Sequence, residues 1–261
     1  MNIINKLIKA IKNPKKAFSI IRYNIFKIIG NNDFKRFIVL SRSRTGSNML
    51  LEFLNSHPRI YIQGEIFSKL NGRNYKNVLN SVFSKQPYYI KATGFKIFYY
   101  HPLDDDDSNL WNDLIKMKEL YVIHLKRRNI LRTLISRKIA GNTNVYGQYK
   151  LSKNIYKTKK EKIVEFSKNE LENGFKQTRK WENDGDEKFN KHSFITIYYE
   201  DLVKNFEYEF KRITNFLDLR YIKPKNKLKK QNPEKTHSIL ANYKKLKDSF
   251  KGTNWQSFFE D

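Results

Sequence analysis

The chain contains no cysteine. Disulfides, thiolate nucleophiles and cysteine-ligated zinc or iron–sulfur centres are therefore excluded. None is needed for stability. Its 261 residues suit one large α/β domain, and folding such a chain removes roughly 70–75% of its surface from water. Histidine is scarce, five in all, without HExxH or any paired spacing, so no metal site is expected. No apolar run reaches the ~18 residues that a membrane-spanning helix requires. The first residues lack the continuous apolar block and small-residue cleavage site of a signal peptide, so a cytoplasmic location is expected. Acid is also in short supply: 26 Asp plus Glu stand against 52 Lys plus Arg, a formal charge of +26.

Such an excess favours an anionic partner: nucleic acid, anionic lipid, a nucleotide or an acidic glycan. An adenine-rich genome would give the same 39 Lys and 28 Asn with no selection for binding. The positions of the 13 Arg are more informative, and six of them are residues 42, 44, 127, 128, 132 and 137.

Residues 1–35 read as a basic, amphipathic helical segment. Ile3, Ile4, Leu7, Ile8 and Ile11 recur at helical spacing between lysines, and Pro14 breaks the pattern. Such a segment either packs on the domain or makes peripheral contact with an anionic membrane. The organised domain is expected over 36–261. Phe37–Leu40 and Tyr121–Leu125 read as buried parallel strands, Tyr88–Tyr100 as β-rich with Gly94 a bulge or interruption, and Phe194–Tyr199 as a further strand. Helices are expected over 48–55, from the Asp104–Asp107 cluster to about 118, over 129–140, over 161–183, and after an Asp201 cap. Residues 141–160 read as a polar excursion or lid, and the last 40 as weakly patterned. Strands alternating with helices imply an α/β fold around a P-loop-like parallel sheet flanked by helices.

Ser41-Arg42-Ser43-Arg44-Thr45-Gly46-Ser47-Asn48 follows a strand and opens a helix, the setting in which backbone N–H groups cradle a phosphate. The GK[ST] of a nucleotide triphosphatase is missing, which leaves a cationic, hydroxyl-rich anion loop. A plain βα turn would also use these residues. At a second strand-to-helix junction, Arg128, Arg132 and Ser136 stand four residues apart and are expected to line one helix face. A solvated arginine face is the alternative. Two such junctions together suit a ligand with two separated anionic groups.

These residues resemble the sulfotransferase superfamily. The loop at Ser41–Asn48 is similar to the family's grip on a 5′-phosphosulfate, and Arg128-x₇-Ser136 to its 3′-phosphate motif. HLKRRNILRTLISRKIA is similar to the bacterial carbohydrate branch, and Tyr199-Glu200-Asp201-Leu202 to a strand-end YEDL. The resemblance spans residues 36–255. It implies 3′-phosphoadenosine 5′-phosphosulfate (PAPS) as donor and adenosine 3′,5′-bisphosphate as product. It also implies no metal, no nucleic acid, and a carbohydrate or glycolipid hydroxyl as acceptor. The donor contacts would be Arg42, Arg44, Thr45, Gly46, Ser47, Asn48, Arg128 and Ser136. Arg44 would neutralise charge at the transferring group. The carbohydrate branch places its base on a Glu shortly after the first helix, which is Glu65 here. Cytosolic relatives use a His beside a Lys; Lys96 falls near that Lys, but Phe98 replaces the His, and His101 is the alternative base.

Two other classes compete. A nucleic-acid-binding protein would interleave Lys with aromatics on one face, whereas here Lys is spread throughout. A non-sulfuryl P-loop nucleotide enzyme lacks its GK[ST].

Overall fold

The apolar runs become the middle of a parallel sheet. The computed structural model of the chain describes residues 29–143, 162–224 and 234–260. Its strands are β1 (Lys35–Ser41), β2 (Ile60–Gln63), β3 (Ala92–Phe98), β4 (Leu120–Lys126) and β5 (Ser193–Tyr198). They lie in the order β2-β3-β1-β4-β5, and every pairing is parallel. Helices cover both faces of such a sheet, which is why β1 and β4 read as continuous rather than alternating apolar runs.

The helices are α1 (Ser47–Ser56), α2 (Tyr75–Val82), α3 (Leu110–Lys116), α4 (Ile130–Thr143), α5 (Lys168–Lys188), α6 (Tyr199–Lys204), α7 (Phe206–Phe216), α8 (Thr236–Ile239) and α9 (Tyr243–Ser249), followed by a 3₁₀ turn at Gln256–Phe259. Phe37, Val39, Ile123 and Leu125 pack on Leu50, Phe53 and Leu54 of α1 and on Phe210 and Ile213 of α7. The alternate residues Ile38, Leu40, Phe95, Ile97 and Val122 pack on the other face with Leu110, Leu114 and Phe189. A third cluster joins α4 and α5 to the chain's end through Leu131, Ile135, Phe175, Phe250, Phe258 and Phe259.

Several sequence expectations are corrected. Gly94 is no bulge. It keeps register with Phe37, and a Cβ there would lie 2.2 Å from the Phe37 carbonyl oxygen. The Asp104–Asp107 cluster does not open a helix, because Asp104 accepts the N–H groups of Leu70 and Asn71 (2.7 and 2.8 Å) and holds a loop instead. Asp201 lies inside α6 rather than capping it, and its carboxylate takes Arg128. The last residues, though Lys-rich, supply aromatic core. The N-terminal segment up to residue 28, residues 144–161, which include most of the lid expected over 141–160, and residues 225–233 lie outside the described residues.

The sheet reverses direction at β1. The chain passes from β1 outward to β2 and β3, then returns to place β4 and β5 on the other side of β1. The crevice beyond the C-terminal ends of β1, β3 and β4 is the switch point at which open α/β sheets bind ligands.

Candidate active site

The turn between β1 and α1 is built for close approach. Arg44 (φ 70°) and Gly46 (φ 93°) both take left-handed backbone. Thr45 Oγ1 donates to the Arg42 carbonyl (2.7 Å), and no side chain caps α1. The first amides of α1 therefore face the crevice without a side-chain acceptor. Glycine is required at 46 on a second ground: a Cβ there would lie 2.3 Å from the Tyr199 ring. The tyrosine of the YEDL segment thus fills the underside of the loop. Arg127 rests over that ring at 4.5 Å and donates to the Arg44 carbonyl (3.1 Å). Burial lowers the Arg127 pKa from its ordinary value.

The Arg44 side chain reaches α4, where its Nε donates to Ser136 Oγ (2.9 Å). Asn48, in the first turn of α1, accepts from Lys96 Nζ of β3 (2.6 Å). Lys96 is 2% exposed and pairs with Glu65 Oε1 at 2.8 Å. Burial lowers the Lys96 pKa, with Glu65 opposing and Arg44 adding to the shift. Glu65 keeps about a third of its side chain exposed (36%).

His101 lies close enough to Glu65 and Lys96 to feel both charges, yet burial dominates and pushes its pKa down to about 4. It is neutral at pH 7. Its Nδ1 faces the Phe98 N–H (3.3 Å) and so must accept. The proton then sits on Nε2, which makes that nitrogen a donor rather than a base.

Arg128 and Ser136 do not share a helix face. Arg128 precedes α4 and forks onto Asp201 with two 2.7 Å bonds, its guanidinium 4.1 Å from the Tyr198 ring centroid. Arg132 turns to the Glu234 carbonyl and Thr236 (2.7 and 3.2 Å). Glu200 accepts the amides of Arg128 and Asn129 (3.0 and 3.2 Å), anchoring the start of α4 to the YEDL segment. Arg42 leaves the loop altogether: its NH1 donates to Thr178 of α5.

The fold therefore brings together Arg44, Thr45, Gly46, Ser47, Asn48, Glu65, Lys96 and Ser136, with His101 alongside, whereas Arg42 and Arg128 are held by other partners. The sequence reading missed Arg127 and Tyr199 as supports of the loop. Their only sequence signals were a second arginine at the junction and the tyrosine of YEDL.

No family model matches the chain, and no curated protein does. Among solved structures, it is similar to a sulfotransferase from Alicyclobacillus acidocaldarius, with 13% identity, TM-score 0.46, and 82% of this chain and 90% of that one covered. Mouse sulfotransferase SULT7A1 complexed with PAP aligns at 15% identity and TM-score 0.41, over 77% of this chain and 64% of that one. Retinol dehydratase in a complex with retinol and PAP aligns at 16% identity and TM-score 0.36, over 72% and 61%. The chain spans less than two thirds of the length of the last two.

Proposed function

We propose that the chain transfers a sulfuryl group from PAPS to a hydroxyl of a carbohydrate or glycolipid. One observation carries this: a buried lysine, Lys96, bridges the first helix of an anion loop through Asn48 and an accessible carboxylate, Glu65. A cation aimed at the loop, with a base beside it, is the minimum for moving an anionic group onto a hydroxyl. PAPS supplies the sulfuryl group, and the bond electrons leave with adenosine 3′,5′-bisphosphate. Arg44, oriented by Ser136, and Lys96 hold the negative charge that gathers on the leaving side. Glu65 Oε2 takes the acceptor's proton. The Nε2–H tautomer of His101 suits it to donate a hydrogen bond, so Glu65 is preferred as base. The loop has no GK[ST] lysine–hydroxyl pair for magnesium, and in this reading Arg44 and Lys96 supply the charge a metal ion supplies in phosphoryl transfer.

Glu65→Gln keeps the shape of the side chain and one oxygen to accept from Lys96, but removes the base. Turnover, measured as adenosine 3′,5′-bisphosphate release in EDTA, should fall by about 10²–10⁴, the range typical of a general base. Affinity for the nucleotide should stay near that of the parent. Normal turnover in Glu65→Gln with a dead His101→Ala would transfer the role to His101, and activity lost in EDTA and restored by magnesium would reject the metal-free mechanism.

A further inference from the structure

The Arg42 side chain takes no part in the site just described. It is 3% exposed. Its NH1 donates to Thr178 Oγ1, its guanidinium lies 5.7 Å from the Trp181 ring centroid, and its Nε has no partner among the described residues. A buried guanidinium ordinarily faces a carboxylate. The carboxylate whose charge Arg42 feels, Glu182, is bonded instead to Arg179 (2.6 Å). Burial, reinforced by the charge of Arg137 on α4, lowers Arg42 to about 10. Arg42 thus feels a second cation, and Glu182, the carboxylate whose charge reaches it, is taken by Arg179.

Aromatic rings connect this cation to the reaction centre. Lys96 Nζ lies 5.2 Å from the Phe98 ring centroid, Phe98 lies 5.7 Å from Tyr100, and Tyr100 lies 5.4 Å from Trp181, the ring beside Arg42. Tyr100 is tied to the anion loop, because its hydroxyl accepts from the Ser43 N–H (3.4 Å). Tyr100 and Trp181 are each half-buried. This wall wraps the C-terminal end of β3, from the α1 side to the α5 side. A sugar ring has an apolar CH face that packs on aromatic surface, and polar edges that need donors.

The geometry points to an acceptor subsite: an anionic saccharide lies along Tyr100 and Trp181, which the buried Phe98 backs, with a carboxylate, sulfate or phosphate held by Arg42 while one of its hydroxyls reaches Glu65. The anion class follows from Arg42 itself; the direction of the saccharide rests on the sulfuryl-transfer reading.

Calorimetry on the full chain tests it at physiological salt, where diffuse attraction to so basic a protein is screened. The probes are three tetrasaccharides of equal length: neutral, hexuronate-bearing and phosphate-bearing. One or both acidic probes should bind the parent protein at least tenfold more tightly than the neutral one, and whichever does identifies the anion. Arg42→Gln should erase that preference while leaving affinity for adenosine 3′,5′-bisphosphate unchanged. Trp181→Ala should weaken acidic and neutral probes alike. If Arg42→Gln fails to fold, the exposed Arg137→Gln is read instead and should narrow the preference several-fold. The subsite is rejected if acidic and neutral probes bind the parent equally, if the preference survives Arg42→Gln (or, in its place, Arg137→Gln), or if Arg42→Gln instead weakens the nucleotide. Failure of the nucleotide to bind the parent protein would sink the sulfuryl-transfer reading but not the acidic preference, so the two fail separately.

Discussion

Two left-handed residues on either side of Thr45, Arg44 and Gly46, set the shape of the anion loop. Glycine adopts that backbone freely, whereas a residue with a Cβ is strained by about 1–2 kcal/mol. Arg44 is held there by bonds at both ends, from its side chain to Ser136 and from Arg127 to its carbonyl. At Gly46 an added methyl would meet both the strain and the Tyr199 ring. Gly46→Ala should therefore lower the melting temperature and weaken adenosine 3′,5′-bisphosphate at least tenfold in calorimetry; full affinity would show that the loop does not hold the nucleotide. Arg128 presents a different case. Its fork onto Asp201 is half exposed, and surface pairs of that kind are worth about 0–1 kcal/mol, little enough for a phosphate to displace. If Arg128 takes the 3′-phosphate, Arg128→Ala costs about 1.5–3 kcal/mol, roughly ten- to a hundredfold in affinity. Asp201→Asn, which weakens the competitor, should tighten binding. Unchanged affinity in both variants would remove Arg128 from the site.

At the scale of elements, the sequence was legible where its signal was strong and local. β1 and β4 announced themselves as apolar runs because both of their faces are buried. The β1–α1 loop was legible because hydroxyls, arginine and glycine crowd between a strand and a helix. β2 was missed because Ile60–Gln63 is four residues long and reads as part of a loop. α2 was missed although Tyr75, Val78, Leu79 and Val82 stand at helical spacing, because the helix is only eight residues long. The acidic cluster misled because four consecutive aspartates suit a helix start, whereas the fold uses Asp104 to bind amides more than thirty residues earlier in the chain. Glu65 could be named from its place after the first helix, but its pairing with Lys96 depends on strand order, which no spacing encodes. Arg42 and Arg127 looked like the other arginines of their segments, and only the fold buries the first and half-buries the second.

The whole molecule couples burial of polar groups to pH. Burial lowers the pKa of His57, His101 and His124, the second to about 4, with Asp186 opposing the shift of His124. Unfolded histidine titrates near 6.5. As pH falls below that value the unfolded chain takes up protons that the native state refuses, so this stability is present at pH 7 and lost towards pH 4. The melting temperature should fall between pH 7 and 4.5, and His101→Asn should flatten the slope; a level profile across that range would contradict it.

The proposed function requires the switch-point crevice to bind a nucleotide carrying phosphates at both its 3′ and 5′ positions. Thermal unfolding with ligand tests it most directly, since a ligand that binds only the native state stabilises by RT ln(1 + [L]/Kd), about 2.7 kcal/mol at a hundredfold excess over Kd. Adenosine 3′,5′-bisphosphate should raise the melting temperature, and ATP with magnesium at the same concentration should not. Stabilisation by ATP with magnesium, and none by the bisphosphate, would contradict it.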